Sequence, residues 1–170
     1  MNLQELHVSS GGTLAPDGIP LHFGDQHSEY KAALNAAVLM DRSHEGRFET
    51  VGRDRFEIIN RISTNDVIHM VVGEGRPTIL TSPTGRIIDR LVVYNRGETA
   101  IVTTEAGRSQ AVLNYLQRQI FFNDDMRISD LGATTKQFVL HGPAAEAIVQ
   151  SFAPEAGKHG YLECIRATIA

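Results

Sequence analysis

Two adjacent opposite charges, Asp89 and Arg90, stand in the middle of the apolar stretch "IIDRLVVYN". The stretch follows Ser82-Pro83-Thr84-Gly85, which is turn chemistry, so it reads as the second strand of a hairpin. Side chains alternate along a strand. Ile87, Asp89, Leu91 and Val93 therefore share one face, and Ile88, Arg90, Val92 and Tyr94 the other. The two charges cannot pair with each other. An unpaired charge among apolar neighbours costs on the order of several kcal/mol or shifts its pKa. Each must meet a partner, a ligand or solvent. A carboxylate so placed can hold or relay a proton. A guanidinium is a permanent cation suited to carboxylates and phosphates.

A second dense stretch is "MDRSHEGRFE", with Asp41, Ser43, His44, Glu45 and Arg47 between a helix and a strand. Loops of this kind often carry function, and they also often cap and pack a tight connection. Ser43-His44 is no hydrolase dyad, because neighbours in sequence rarely align Oγ with an imidazole nitrogen and no G-x-S-x-G elbow is present. His44 and Glu45 have no third ligand at helical spacing. The other histidines are scattered, and neither a Walker A loop nor G-x-G-x-x-G occurs. "HGPAAEA" is structural, with Gly142 at a sharp turn and Pro143 starting a helix.

The bounds are those of an ordinary soluble chain. Its 170 residues can fill one domain, or one domain with a small insertion. A net charge of −4 and a pI near 5.9 argue against a broad nucleic-acid surface. Cations are 13 Arg and three Lys, which suits fixed bidentate contacts. Cys164 is the single cysteine, so no disulfide or all-Cys cluster forms within the chain. The start lacks a signal-peptide pattern, and no apolar run approaches the roughly 18 residues that span a bilayer. The expectation is a cytoplasmic protein with neither membrane nor nucleic acid as partner. "YLECIRATIA" ends in a strand-like pattern, as in a piece of a longer protein or a terminal edge strand.

The elements follow from period and punctuation. Residues 1–26 read as an irregular arm. Tyr30, Ala33, Leu34, Ala37 and Val38 form a helical stripe. "GRFETVG" is a strand, and Asp54 with Glu57 resembles a capping box opening a helix through Ile62. Strands follow near 77–82, 86–95 and 99–104, a helix near 106–121, strands near 127–130 and 136–141, and a helix from Pro143. "FETVGRDRFEIINRI" and "FVLHGPAAEAIVQSF" echo each other as strand, glycine, helix. The echo suggests two halves of one domain around an insertion.

With these elements in order, the chain resembles the glycine-cleavage T-protein superfamily. The residues that carry the resemblance are "EYKAALNAAVLMDRSHEGRFETVGRDRFEIINRISTND", "TILTSPTGRIIDRLVVYN", "IVTTEAGR" and "HGP". The resemblance implies an α+β fold: a split β/α domain (1–52 and 136–170) with an inserted ferredoxin-like antiparallel-sheet domain (53–135), truncated before a C-terminal barrel. It implies tetrahydrofolate or a derivative as cofactor, and iron–sulfur enzymes or a lipoyl carrier protein as partners. It places folate-facing positions at Glu45, Pro77, Asp89, Arg90, Thr103 and Glu105.

Several of these depart from the transferase pattern. Where that pattern has a second acid assisting the folate, this chain has Arg90, leaving Asp89 as the nearest catalytic candidate. Glu45 replaces a methionine, Glu105 an asparagine, and Gly85-Arg86 a Gly-Gly turn. These departures favour a YgfZ-type folate-binding protein that supports iron–sulfur enzymes. The alternative is a tetrahydrofolate-dependent aminomethyltransferase of the glycine cleavage system. A third reading is a scaffold in which Arg90 pairs with Glu45 or Glu105 and no ligand binds.

Overall fold

A computed structural model describes residues 2–156 and 159–168. The elements run α1 (Leu3–Ser9), β1 (Thr13–Leu14), β2 (Pro20–His22), α2 (Gln26–Asn35), β3 (Val38–Asp41), β4 (Glu45–Val51), α3 (Arg55–Arg61) and β5 (Gly75–Thr81). They continue as β6 (Ile87–Asn95), β7 (Thr99–Ala106), α4 (Ser109–Arg118), β8 (Arg127–Asp130), β9 (Phe138–His141) and α5 (Ala145–Phe152). They form two compact units. One comprises the described residues of Met1–His44, Lys136–Lys158 and Ala167–Ala170, the other Glu45–Thr135 and His159–Arg166. No helix among the described residues is long and apolar enough to cross a membrane.

In the first unit, the expected irregular arm is ordered. Asn2 and Glu5 cap α1 reciprocally, with the Glu5 N–H donating to Asn2 Oδ1 at 2.8 Å and the Asn2 N–H to Glu5 Oε2 at 2.9 Å. β1 and β2 then pair as a short hairpin. The predicted stripe from Tyr30 to Val38 is cut short. α2 ends at Asn35, Ala36 leaves helical geometry, and Val38 enters β3, which pairs antiparallel with β9. Strand pairing overrides the local period there, and Tyr30 and Leu34 are left exposed.

A buried pair ties α1 to β3. His7 Nε2 lies 2.9 Å from Asp41 Oδ2, and the Ser43 N–H donates to Asp41 Oδ1 at 2.8 Å. Burial pushes the Asp41 carboxyl up, but hydrogen bonds from Ser43 and His7 outweigh it and hold the pKa below the ordinary value. A depressed native pKa gives stability that is present above the unfolded value and lost as pH falls through the folded one. Urea midpoints of the first unit are therefore expected to drop below about pH 4, the ordinary carboxylate value. Asp41→Asn should lack that component. Superimposable pH profiles for the two proteins would refute it.

The second unit is a five-stranded antiparallel sheet in the order β5-β6-β7-β4-β8. α3 and α4 cover one face. Phe48, Leu80, Leu91, Val93 and Val102 meet Ile58, Ile59, Val112 and Leu116 there, all fully buried. The hairpin turns match expectation, with the Gly85 N–H donating to Ser82 O at 2.9 Å and the Arg96 N–H to Thr99 O at 2.9 Å.

Three sequence expectations change in this unit. Asp54 occupies the N-cap of α3 but makes no side-chain cap. Its carboxylate instead takes the charged Arg53 Nε at 2.9 Å, a stronger donor than a helix-end amide, and the Asp125 N–H at 2.8 Å. The glycine echo is locally real: Gly52 (φ 109°) and Gly142 (φ 119°) both turn a strand into a helix. Yet the strand before Gly52 sits in the five-stranded sheet of the second unit and the one before Gly142 pairs with β3 in the first, so the two copies fall in different units. Finally, 161–168 forms no strand. It joins the unit through a bridge from Glu163 to Glu74 and the Cys164 N–H to Gly73 O at 2.7 Å. Residues 169–170 of the expected strand lie outside the described residues.

Candidate functional site

Residues directly opposite on paired strands share a face. One row across the second unit's sheet is therefore Pro77, Val92, Thr103 and Arg47, and the next brings Ile79 beside Arg90. This is the face that α3 and α4 do not cover. It gathers Pro77, Arg90, Thr103 and Glu105 on three neighbouring strands. Glu45 starts β4 beside Ala106, across a register shift.

Arg90 does find a partner on this face. Its Nε donates to Glu105 Oε1 at 2.7 Å, and the side chains remain 56% and 44% exposed. A pair this exposed is worth about 0–1 kcal/mol. A ligand carboxylate can therefore displace Glu105 from the guanidinium at little cost.

Two neighbours, Tyr94 and Arg47, frame the pair. Tyr94 is half-buried on the same face. Burial pushes its phenol up, with Cys164, Tyr161 and Glu45 adding to the shift and Arg90 opposing it. Glu45 and Arg90 thus both act on the field at Tyr94, which strand alternation places on the Arg90 face. Arg47 is 5% exposed. Its guanidinium donates to Glu45 O at 2.7 Å, Thr135 Oγ1 at 3.1 Å and Thr135 O at 3.2 Å. It braces the wall rather than offering a free charge.

Asp89 is placed differently. It lies opposite Leu80 on the helix-covered face, 5% exposed, away from the other five positions. Its Oδ1 accepts the Arg90 N–H at 2.9 Å, while Oδ2 is buried with no hydrogen-bond partner among the described residues. Burial pushes its pKa up, against hydrogen bonds from the backbone of Arg90 and Glu105 and the Arg108 charge.

The "MDRSHEGRFE" stretch divides between the units. Asp41 and Ser43 form the network around His7. The Ser43 hydroxyl accepts the Gln137 N–H at 3.1 Å and faces the Gln137 carbonyl oxygen at 3.5 Å, an arrangement that ties two backbone segments together. His44 lines first-unit cavities of about 540 and 310 Å³, and its Nδ1 is buried with no hydrogen-bond partner among the described residues. Among the described residues no three His, Cys, Asp or Glu side chains converge as metal ligands. Nothing in the sequence marked His7 and Asp41 as partners, 34 residues apart.

One sheet face is covered by α3 and α4, and the other carries the Arg90–Glu105 pair beside Pro77, Val92, Ile79 and Thr103, in an α+β arrangement with antiparallel sheets. The GCVT N-terminal domain model matches residues 18–170. An aminomethyltransferase of Symbiobacterium thermophilum is 29% identical over 157 residues, covering 89% of this chain and 42% of the relative. A chloroplastic Arabidopsis thaliana protein with a transferase name is 29% identical over 140 residues, covering 82% of this chain and 32% of its own length. The glycine cleavage system aminomethyltransferase T of Bartonella henselae shares the fold, with a TM-score of 0.78, 24% identity, and 86% of this chain matched to 41% of that one. The chain belongs to the GCVT N-terminal domain family. It spans about two fifths of the length of the aminomethyltransferases it matches.

Proposed function

We propose that this chain is the N-terminal part of a tetrahydrofolate-dependent aminomethyltransferase, with the open face of the second unit's sheet as one wall of its folate site. The names of its relatives support the transferase reading over the YgfZ-type one. The second unit's connectivity supports an inserted ferredoxin-like domain. Strands β8-β4-β7-β6 lie side by side, α3 and α4 supply the two crossovers, and β5 is added at the edge.

The observation that carries the folate wall is the half-exposed Arg90–Glu105 pair. A folate ends in a glutamate whose carboxylates suit a guanidinium, and its pterin edge offers N–H donors that suit Glu105 and Glu45. The apolar floor of Pro77, Val92 and Ile79 suits a flat ring. One-carbon chemistry itself would belong to the folate.

Calorimetry with tetrahydrofolate tests this. Arg90→Ala should weaken binding by about 1–3 kcal/mol, the range for a charge-assisted hydrogen bond. Unchanged affinity would remove Arg90 from the site. A second reading, folate binding without transfer as in YgfZ-type proteins, is favoured by Arg90 standing where the family resemblance places an acid. Turnover with an aminomethylated lipoyl carrier separates the two. Methylene-tetrahydrofolate formation supports the transferase; binding without turnover supports the second reading.

A further inference from the structure

The connection from α4 to β8 contains Phe121-Phe122-Asn123-Asp124-Asp125. Large apolar side chains usually bury. Here Phe122 is fully exposed, the most exposed large apolar residue among the described residues, and Phe121 is more than half exposed. The turn that carries them is fixed. The Asp124 N–H donates to Phe121 O at 3.0 Å, and Asp124 Oδ2 accepts the Phe121 N–H at 2.9 Å. Arg61 of α3 donates to the same Oδ2 at 2.7 Å and to Gln119 O, and its guanidinium carbon lies 4.9 Å from the centre of the Phe121 ring. Phe122 thus stands at the tip of a clamped turn, with little backbone entropy left to lose when a partner covers it. Preorganised aromatic anchors of this kind carry much of the binding energy at interfaces.

The first unit carries a socket of matching chemistry. Leu21, Phe23, Leu39 and Met40, all exposed, line its cavity of about 540 Å³. The carboxylates on the cavity wall are already hydrogen-bonded. Asp41 accepts from His7 and Ser43, and Glu29 Oε1 accepts the Phe23 N–H at 2.6 Å. An entering ring therefore meets apolar walls and acids that keep their partners. Arg118, which ends α4 and has no carboxylate partner among the described residues, precedes the knob, while Glu29 lines the socket, so the two surfaces also offer opposite charges. A knob on one part of a chain and a socket on another make a heterologous contact between copies. We propose that this chain self-associates head to tail, with Phe122 of one copy seated in the first-unit cavity of the next. The contact is independent of the folate reading. One aromatic and a narrow rim bury less area than a permanent interface does, so the association is weak and depends on concentration.

Sedimentation velocity from micromolar to millimolar concentration tests the contact. The wild-type chain should pass from its 18.7 kDa monomer to larger species as concentration rises. Phe122→Ser removes the knob, and Leu39→Asp puts a charge in the socket. Each should stay monomeric with an unchanged far-UV circular dichroism spectrum, since both side chains are exposed. Phe122→Leu keeps an apolar knob and should still associate. An equal mixture of Phe122→Ser and Leu39→Asp separates this contact from a symmetric one. The first variant keeps its socket and the second its knob, so together they should form a species of two chains and none larger. Should Leu39→Asp lose its fold, Leu21→Asp on β2 takes its place. A wild type that stays monomeric throughout would overturn the proposal and leave the socket to another occupant. So would association of either single variant at the wild-type level, a mixture that stays monomeric, or one that grows beyond two chains.

Discussion

Gly52→Ala is expected to destabilise the second unit by about 3 kcal/mol or more, from backbone strain and overpacking together. The residue sits at φ 109°, where a side chain is strained whatever the space. Space is also missing: a Cβ there would lie 2.1 Å from the Asp125 carbonyl oxygen and 3.0 Å from the Met126 Cα. Both obstacles are backbone, so no rotamer change relieves them. That backbone leads into β8, the edge strand beside β4, and also holds the Asp125 N–H that Asp54 binds. Moving it loosens two attachments at once. Guanidinium denaturation followed by far-UV circular dichroism reads the effect as a lowered midpoint. A loss under about 0.5 kcal/mol, the range of ordinary surface substitutions, would show that the crossing from β4 to α3 tolerates a side chain.

Phe48→Ala is expected to cost about 3–5 kcal/mol, the usual range for emptying a core phenylalanine site. Phe48 is wholly buried at the centre of β4, between Val102 on β7 and Asp130 on β8. Its ring fills the layer between the sheet and the two helices. Fully buried neighbours from the sheet and from α3 and α4, among them Ile58, Ile59, Val112 and Leu116, leave little freedom to collapse into the space. Phe48→Leu should recover much of the loss, because it restores apolar volume without new polar groups. Equal losses for both variants would mean that the aromatic shape, and not the filled volume, sustains the packing.

Several features were legible without coordinates. The Asp-Arg pair on opposite faces follows from strand alternation, and the structure keeps that split, with Asp89 buried and Arg90 at the surface. The turns at Ser82–Gly85 and Asn95–Glu98 follow from residues that prefer tight turns. The amphipathic pattern of α4 puts Val112 and Leu116 in the core. The α+β class and the family resemblance also came from local order along the chain, and the match over residues 18–170 agrees with the latter.

Long-range pairing supplied the rest. Whether Arg90 met solvent, ligand or acid depended on register, because only the β6–β7 alignment sets Glu105 beside it. Val38 left a helical stripe because β9, a hundred residues on, offers it a strand partner. His7 became a buried partner of Asp41 through contact between distant segments. Periodicity and turn propensity act over a few residues and are written in sequence. Register, strand partnership and the burial of charges are set by which distant segments meet, and that is decided by the free energy of the folded whole.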